Sequence, residues 1–331
     1  MKSLSGKVVV ITGATGLIGS HLVDELLNEN AKVIAIGRNE EKIRAAFKQK
    51  LDNENFSYLV CDIADGVSEQ LGVVDLIFHA ASPISGEDIK SKPVNVIDAN
   101  LVGTRNCLEY LKKQKEKSKI NGRMIVFSSA TVYGNNEQRD NMVSEVDTYI
   151  ADSLNSDNSP YSESKRMIEV IAHAYNKQYG VDSVIARIGY VYGFSKNKPN
   201  TAFYEFIGKA ISGENIVLNN SGMSRRDNIY VSDVVSALIF LSTKGKTGEA
   251  YNISSSGEKD NFKAIDEIAE IIANSVNELN GNNNIKVVVK QNDGDRKPGI
   301  ILNNNKLKAL GWSIDKSIYN GVKETIKNYI G

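Results

Sequence analysis

Tyr161 and Lys165 stand four residues apart at the head of an apolar-periodic segment. On a helix that spacing puts both side chains on one face. An isolated phenol titrates near pH 10, and an ammonium beside it favours the phenolate, so the pair could move a proton to or from a hydroxyl or carbonyl. The spacing is weak alone, because Tyr192/Lys196 and Tyr319/Lys323 repeat it. Position separates the three. Ser159 and Pro160 before Tyr161 suit a helix entrance, whereas Tyr192 precedes Gly193 in a loop and Tyr319 lies in the final helix. Upstream, the apolar run ending at Ser128 places Ser129 and Thr131 just past a strand; Ser129 would hydrogen-bond the reacting oxygen. Tyr161, Lys165 and Ser129 are therefore the candidate catalytic group.

A second constellation opens the chain. Val8 to Thr12 runs into Gly13-x-x-Gly16-x-x-Gly19, a glycine series that follows a strand and begins a helix. Gly13 permits a sharp turn, Gly16 lets backbone N–H groups approach a pyrophosphate, and Gly19 lets the helix pack closely on the sheet. The implied ligand is a nicotinamide dinucleotide. The second strand ends in Gly37-Arg38-Asn39, without the acidic residue that normally meets the ribose 2′-hydroxyl. Arg38 would pair with a 2′-phosphate, so the cofactor is NAD or NADP, with Arg38 suggesting NADP unless it is a solvated loop charge.

These residues need a scaffold, and the first half supplies one. Strand-like runs (Val8 to Thr12, Val33 to Ile36, Tyr58 to Cys61, Leu76 to His79, Met124 to Ser128) alternate with helical segments (Leu17 to Asn28, Asn95 to Lys113, Tyr161 to Tyr179). The rhythm predicts an α/β fold, a Rossmann-type doubly wound parallel sheet whose ligand crevice lies at the strands' carboxyl ends, with a smaller C-terminal substrate-binding lobe. The expected lobes are 1–187 plus about 228–252 for the dinucleotide, and 188–227 with 253–331 for the substrate. The acidic loop from Ser129 to Tyr161 (Glu145, Asp147, Asp152, Asp157) reads as a surface insertion rather than a lid, and Asn277 to Asn284 as a solvated turn.

Composition narrows the classes. Forty basic and forty acidic residues cancel in a chain of 331 that is 41% hydrophobic, which predicts neither a nucleic-acid partner nor an anionic membrane surface. Cys61 and Cys107 lack metal spacing and His21, His79 and His173 are scattered, so no metal site is expected. No run approaches the roughly 18 apolar residues that span a bilayer, and the expected compartment is the cytoplasm.

Together these residues resemble the extended short-chain dehydrogenase/reductase superfamily, in its NAD(P)-dependent nucleotide-sugar epimerase/dehydratase family, over nearly the whole chain. Besides the glycine loop, Ser128 to Gly134 is similar to the UDP-galactose 4-epimerase segment. His79 to Ser82 and Asn100 to Thr104 resemble the fourth-strand loop and the helix after it. Arg226 to Asp233 resembles the segment whose arginine grips a sugar diphosphate, and Asn303 to Trp312 the terminal signature. The resemblance implies cofactor contacts from Gly13, Thr15, Gly16, Leu17, Ile18, Gly19, Arg38, Asp62 (to adenine), Ile63, His79, Ala80, Ala81, Asn100 and Ser128, with Tyr161 and Lys165. It implies substrate contacts from Ser82, Ser129, Thr131, Tyr190, Arg226 and Arg296, and a homodimer through the helices Asn95 to Lys113 and Tyr161 to Tyr179. His79 has no partner that would make it an acid or base.

Departures shape the expected reaction. Tyr190 stands where the family often has a sugar-binding asparagine, Arg296 aligns poorly, and Ala130 and Thr131 replace the Asp-Glu pair of 4,6-dehydratases. Expelling a C6 hydroxyl needs an acid, so dehydration is disfavoured. The expected enzyme transfers hydride at C4 of a nucleotide-activated sugar, as a 4-epimerase, which the Ser129 segment favours, or as an NADPH-dependent 4-ketoreductase, which Arg38 favours. A reductase of a non-sugar carbonyl and a non-catalytic dinucleotide sensor are the remoter alternatives.

Overall fold

The computed structural model describes residues 4–67, 71–83, 86–134, 141–147, 151–281, 284–290 and 299–331. It divides into two units, one of 1–134, 149–188 and 235–251, the other of 135–148, 189–234 and 252–331.

The first unit begins with β1 (Val8–Thr12), α1 (Leu17–Asn28), β2 (Lys32–Gly37), α2 (Glu40–Ala46), β3 (Phe56–Val60), β4 (Leu76–His79), α3 (Gly86–Ser91), α4 (Pro93–Ser118) and β5 (Arg123–Ser129). After β6 (Asn141–Val143), which belongs to the second unit, come α5 (Ser159–Tyr179) and β7 (Asp182–Ile188). The second unit takes β8 (Tyr190–Tyr192), α6 (Ala202–Ile211), β9 (Ile216–Leu218) and β10 (Arg225–Tyr230). Helix α7 (Val231–Lys244) and β11 (Ala250–Ile253) cross the unit boundaries. The second unit ends with β12 (Phe262–Ala264), α8 (Ile265–Asn280), β13 (Val287–Val289), β14 (Ile300–Leu302), α9 (Asn305–Ala309) and α10 (Ile318–Ile330).

Seven strands form one sheet in the order β11-β7-β5-β4-β1-β2-β3. The registered pairs from β7 to β3 are all parallel, and the order reverses between β1 and β4, where a doubly wound sheet opens its crevice. Val8–Thr12 is β-branched throughout, 124–127 of β5 is apolar, and both runs are nearly all buried, as a sheet covered on both faces requires. Their core includes Val10, Ile77, Leu108, Met124, Val126, Ile168 and Ile185. Helix α5 starts with proline in its first turn and stops at Gly180, which takes the left-handed conformation at φ 64°. No helix among the described residues is long and apolar enough to cross a membrane.

In the second unit β10 pairs with β8 in parallel and with β12 antiparallel. That pairing draws 228–234, expected with the dinucleotide lobe, into this unit. Part of the acidic insertion is also structured here: β6 pairs with β14, and Glu145 accepts from the Asn252 N–H at 2.7 Å. In the first unit Asp152 accepts from Ser162 Oγ at 2.5 Å and Asp157 pairs with Lys90 at 3.0 Å. The Asn-rich stretch corrects the solvated-turn reading. It starts inside α8, and the buried Asn277 side chain clasps both the N–H and the carbonyl of Ile285, at 3.0 and 2.9 Å.

Candidate active site

Strand ends bring the first unit's candidate residues together. Thr12 and His79 are register partners on β1 and β4, and Thr12 Oγ1 lies 2.8 Å from His79 Nδ1. That hydroxyl also accepts from the Ala81 N–H at 3.1 Å, tying the end of β1 to the loop after β4. Burial, then the nearby Lys165, pushes the His79 imidazole down to about 3. It stays neutral, a structural wall rather than an acid or base.

The glycine loop is shaped by close contact. Gly13 has φ +63° and a Cβ there would lie 2.8 Å from the Ala80 carbonyl oxygen; a Cβ on Gly19 would lie 2.4 Å from the Gly13 oxygen. Gly16 is the N-cap of α1 and offers no side-chain acceptor to the first-turn N–H groups, donors that helices otherwise satisfy with a capping oxygen. Thr15, Leu17 and Ile18 complete this turn. An anion such as a pyrophosphate is the partner such an end takes, so a dinucleotide fits. Arg38 follows β2 and Asp62 follows β3; Arg38 Nη1 lies 3.6 Å from Asp62 Oδ2, and both side chains remain accessible. Ile63 is buried, and Asn106 holds its carbonyl at 2.9 Å.

Helix α5 carries Tyr161 and Lys165, the candidate proton-transfer pair. Lys165 is 4% exposed, and its Nζ donates to the Phe127 carbonyl near the end of β5 at 2.8 Å. Its Nζ lies 5.6 Å from the centre of the half-buried Tyr161 ring. Burial draws the Lys165 ammonium down to about 7, which makes it a group that gains or loses its charge near neutrality. Ser129 Oγ accepts from the Thr131 N–H at 3.2 Å and so caps a 3₁₀ turn over Ala130–Tyr133. Asn100 of α4 donates to Ser164 of α5 at 2.8 Å. Among the described residues, the buried atoms Ser82 Oγ, Asn100 Oδ1 and Thr131 Oγ1 have no hydrogen-bond partner, a polar lining that a ligand would satisfy.

In the second unit, Arg226 on β10 lies with its guanidinium 4.8 Å from the Tyr190 ring on β8 and donates to the Arg225 carbonyl at 3.0 Å. These two predicted substrate residues are thus adjacent, and Tyr190 is 49% exposed. Arg296 lies outside the described residues.

Sequence reasoning missed two buried charges. Glu169 falls one turn after Lys165 on α5, and Arg187 interrupts the apolar strand β7; each is at most 8% exposed. The signal was present, since a charge inside a continuously apolar parallel strand demands a partner. Ser128, expected to line the cofactor, turns its hydroxyl onto Glu169 Oε1 at 2.5 Å.

Residues 9–254 match the model of the NAD dependent epimerase/dehydratase family. The chain belongs to that family. It is 30% identical to UDP-glucuronic acid decarboxylase 3 of Arabidopsis thaliana, over 92% of this chain and 83% of that protein. The dTDP-glucose 4,6-dehydratase of Bacillus anthracis, solved with NAD, superposes with TM-score 0.78 at 25% identity, covering 98% of this chain and 97% of that one. UDP-glucose 4-epimerase of Thermotoga maritima, solved with UDP-glucose, also superposes with TM-score 0.78 at 23% identity, covering 98% of each.

Proposed function

We propose that the chain oxidises and re-reduces a hydroxyl, at C4, of a nucleotide-activated sugar, as a 4-epimerase. The observation that carries this reading is the buried Lys165 ammonium, held on the Phe127 carbonyl beside Ser129 and one helical turn from Tyr161. Tyr161 moves the proton of the sugar hydroxyl, with Lys165 balancing the phenolate charge. Ser129 and Thr131 offer hydroxyls to the same oxygen or its neighbour. A bound nicotinamide supplies the hydride acceptor and donor. Gly13, Gly16 and Gly19 would hold its pyrophosphate, and Asp62 and Ile63 would line the adenine. NAD is the favoured form, because the Asp62 carboxylate beside Arg38 partly cancels the charge that a 2′-phosphate would seek. Arg226 would pair with the sugar diphosphate, beside Tyr190.

A second reading is decarboxylation of a sugar acid. A C6 carboxylate is β to a C4 ketone, so the C5–C6 bond can break to release carbon dioxide and an enolate, which then takes up a proton at C5. The turn after Ser129 carries Ala130 and Thr131, which set no negative charge against that carboxylate.

The test is to release and identify any bound dinucleotide by mass spectrometry, then to incubate the protein with UDP-glucose, UDP-glucuronic acid and dTDP-glucose and follow products by NMR. Interconversion of epimers without net cofactor consumption is expected. Stoichiometric consumption of NADPH marks a ketoreductase, loss of carbon dioxide a decarboxylase, and no turnover of any sugar nucleotide removes the proposal.

Val102 on α4 and Met167 and Val170 on α5 remain exposed at 37%, 47% and 60%, and we infer a homodimer through this face. Analytical ultracentrifugation tests it: Val170→Glu should turn a dimer into a monomer, and a wild-type monomer refutes it.

A further inference from the structure

A carboxylate, a guanidinium, a hydroxyl and a phenol meet in the interior of the first unit, and none is part of the proton-transfer group. Ser128 on β5 and Arg187 on β7 are register partners, so their side chains leave the sheet on one face. Glu169 on α5 meets both. Ser128 Oγ donates to Glu169 Oε1 at 2.5 Å, Arg187 Nε donates to the same oxygen at 3.0 Å, and Arg187 Nη2 donates to Oε2 at 2.8 Å. Arg187 Nη1 donates to Tyr133 Oη at 2.8 Å, and the guanidinium lies 5.0 Å from the centre of that ring. Burial pulls the Arg187 proton affinity down, but the hydrogen bonds and charge of Glu169, with Tyr133, hold it above its ordinary value. The guanidinium keeps its charge and finds its partner in Glu169.

Every member of this cluster adjoins the catalytic group along the chain. Ser128 lies between Phe127, whose carbonyl receives Lys165, and Ser129. Glu169 is one helical turn beyond Lys165 and two beyond Tyr161. Tyr133 ends the 3₁₀ turn that Ser129 caps. A slide or rotation of α5 against β5 would break these directional bonds as it moved Lys165 from the Phe127 carbonyl. Apolar packing could stabilise this interior as well as an ion pair does, but it would resist such a slide less, because it has no preferred direction.

We propose that Ser128, Glu169 and Arg187 are positioning residues, which lock α5 to the ends of β5 and β7 and so set where Lys165 and Tyr161 stand relative to Ser129. This rests on the reading of Tyr161, Lys165 and Ser129 as the proton-transfer group, so the test needs a readout independent of substrate. The titratable groups that the structure sets against Lys165 are the Tyr161 ring on α5 and neutral His79 on β4, with Glu169 one helical turn further along α5 and bound to Arg187 on β7. NMR of the nucleotide-free full chain labelled with ¹³Cε-lysine follows Lys165 through its midpoint, expected at about 7.

Two variants separate position from fold. Ser128→Ala cuts the tie to β5 and keeps the ion pair, while Glu169→Gln with Arg187→Met removes both charges and leaves neither unpaired. In both, circular dichroism should show the native fold, and the Lys165 midpoint should rise by a pH unit or more, as a loosened ammonium regains water. On a substrate that the wild type turns over, kcat should fall roughly tenfold or more with KM little changed. A folded variant whose Lys165 midpoint stays at the wild-type value overturns the proposal, whatever its turnover. A wild-type chain inactive on every sugar nucleotide sinks the functional reading instead, and the Lys165 comparison still decides the positioning role.

Discussion

Replacing Lys165 by methionine should make the protein more stable near neutral pH while abolishing turnover. The wild-type ammonium is buried, with the Phe127 carbonyl as its hydrogen-bond acceptor at 2.8 Å, and burial lowers it from 10.5 to about 7. At roughly 1.4 kcal/mol per pH unit, keeping that charge in the folded chain costs about 5 kcal/mol. The folded pKa lies below the unfolded one, so the unfolded chain binds the extra proton between about pH 7 and 10.5. The cost is therefore complete below pH 7 and fades as pH rises through that window. Methionine removes it but leaves the Phe127 carbonyl without its donor, a loss of about 1–3 kcal/mol.

The balance changes sign with pH. At pH 6 Lys165→Met should be more stable than wild type by roughly 2–4 kcal/mol, and at pH 10, where less than about 1 kcal/mol of the charge cost remains, it should be equal or less stable by up to about 2 kcal/mol. Urea denaturation of the nucleotide-free proteins, followed by circular dichroism at both pH values, measures this. Other titrating groups contribute equally to both chains and cancel in the difference. A variant less stable than wild type at pH 6, or a difference that is the same at both pH values, would refute a desolvated ammonium.

Tyr161→Phe should lower kcat by roughly 10²–10⁴ while leaving dinucleotide affinity intact, because the phenol acts in the transition state; equal losses in a binding titration and in turnover would contradict that role. Arg38→Ala should leave NADH affinity within about threefold of wild type, since Asp62 already engages the guanidinium; a wild-type preference for NADPH that the variant loses would show that Arg38 reads a 2′-phosphate. Gly19→Ala puts a Cβ 2.4 Å from the Gly13 oxygen and 2.8 Å from Ala14 Cα, so α1 must move. Calorimetry should then show dinucleotide affinity falling by roughly tenfold or more, and unchanged binding would mean that the helix end does not hold the pyrophosphate.

The sheet was legible because parallel strands buried on both faces write themselves as apolar runs, and because Gly13 and Gly19 stand where a Cβ has no room. Tyr161 was separable from the two rival pairs by Pro160, which the structure places in the first turn of α5. The second unit was harder. Its strands β8, β9, β12, β13 and β14 are three residues each, too short for a period to show, and the partners of β6 and β10 are distant in sequence. The Glu169 and Arg187 pairing was hidden for a related reason. Each charge is visible alone, but only the register of β5 on β7 shows that Ser128 and Arg187 share a face. Asn277 looked like part of a solvated run because composition cannot distinguish an amide in water from one that satisfies a buried backbone.

A decarboxylase and a 4,6-dehydratase stand among the relatives of this chain, and the family model is that of epimerases and dehydratases, so on the proposed reading one proton-transfer group serves several outcomes. What separates them is the fate of a sugar whose C4 has become a ketone. Loss of water from C5 and C6 needs an acid at the leaving hydroxyl, and the turn after Ser129 begins with Ala130 and Thr131 and carries no carboxylate. Loss of carbon dioxide needs a substrate with a C6 carboxylate: the C5–C6 bond breaks, its electron pair passes to the C4 carbonyl as an enolate, and C5 then takes up a proton. Inversion at C4 needs only that the ketosugar present its other face before reduction. On the proposed reading, then, Ser129, Tyr161 and Lys165 fix the atom at which chemistry starts, and the presence or absence of a carboxylate on C6 decides between the two remaining fates. Incubation with UDP-glucose and UDP-glucuronic acid in parallel is therefore the more discriminating experiment: substitution of the shared catalytic residues would impair both reactions alike.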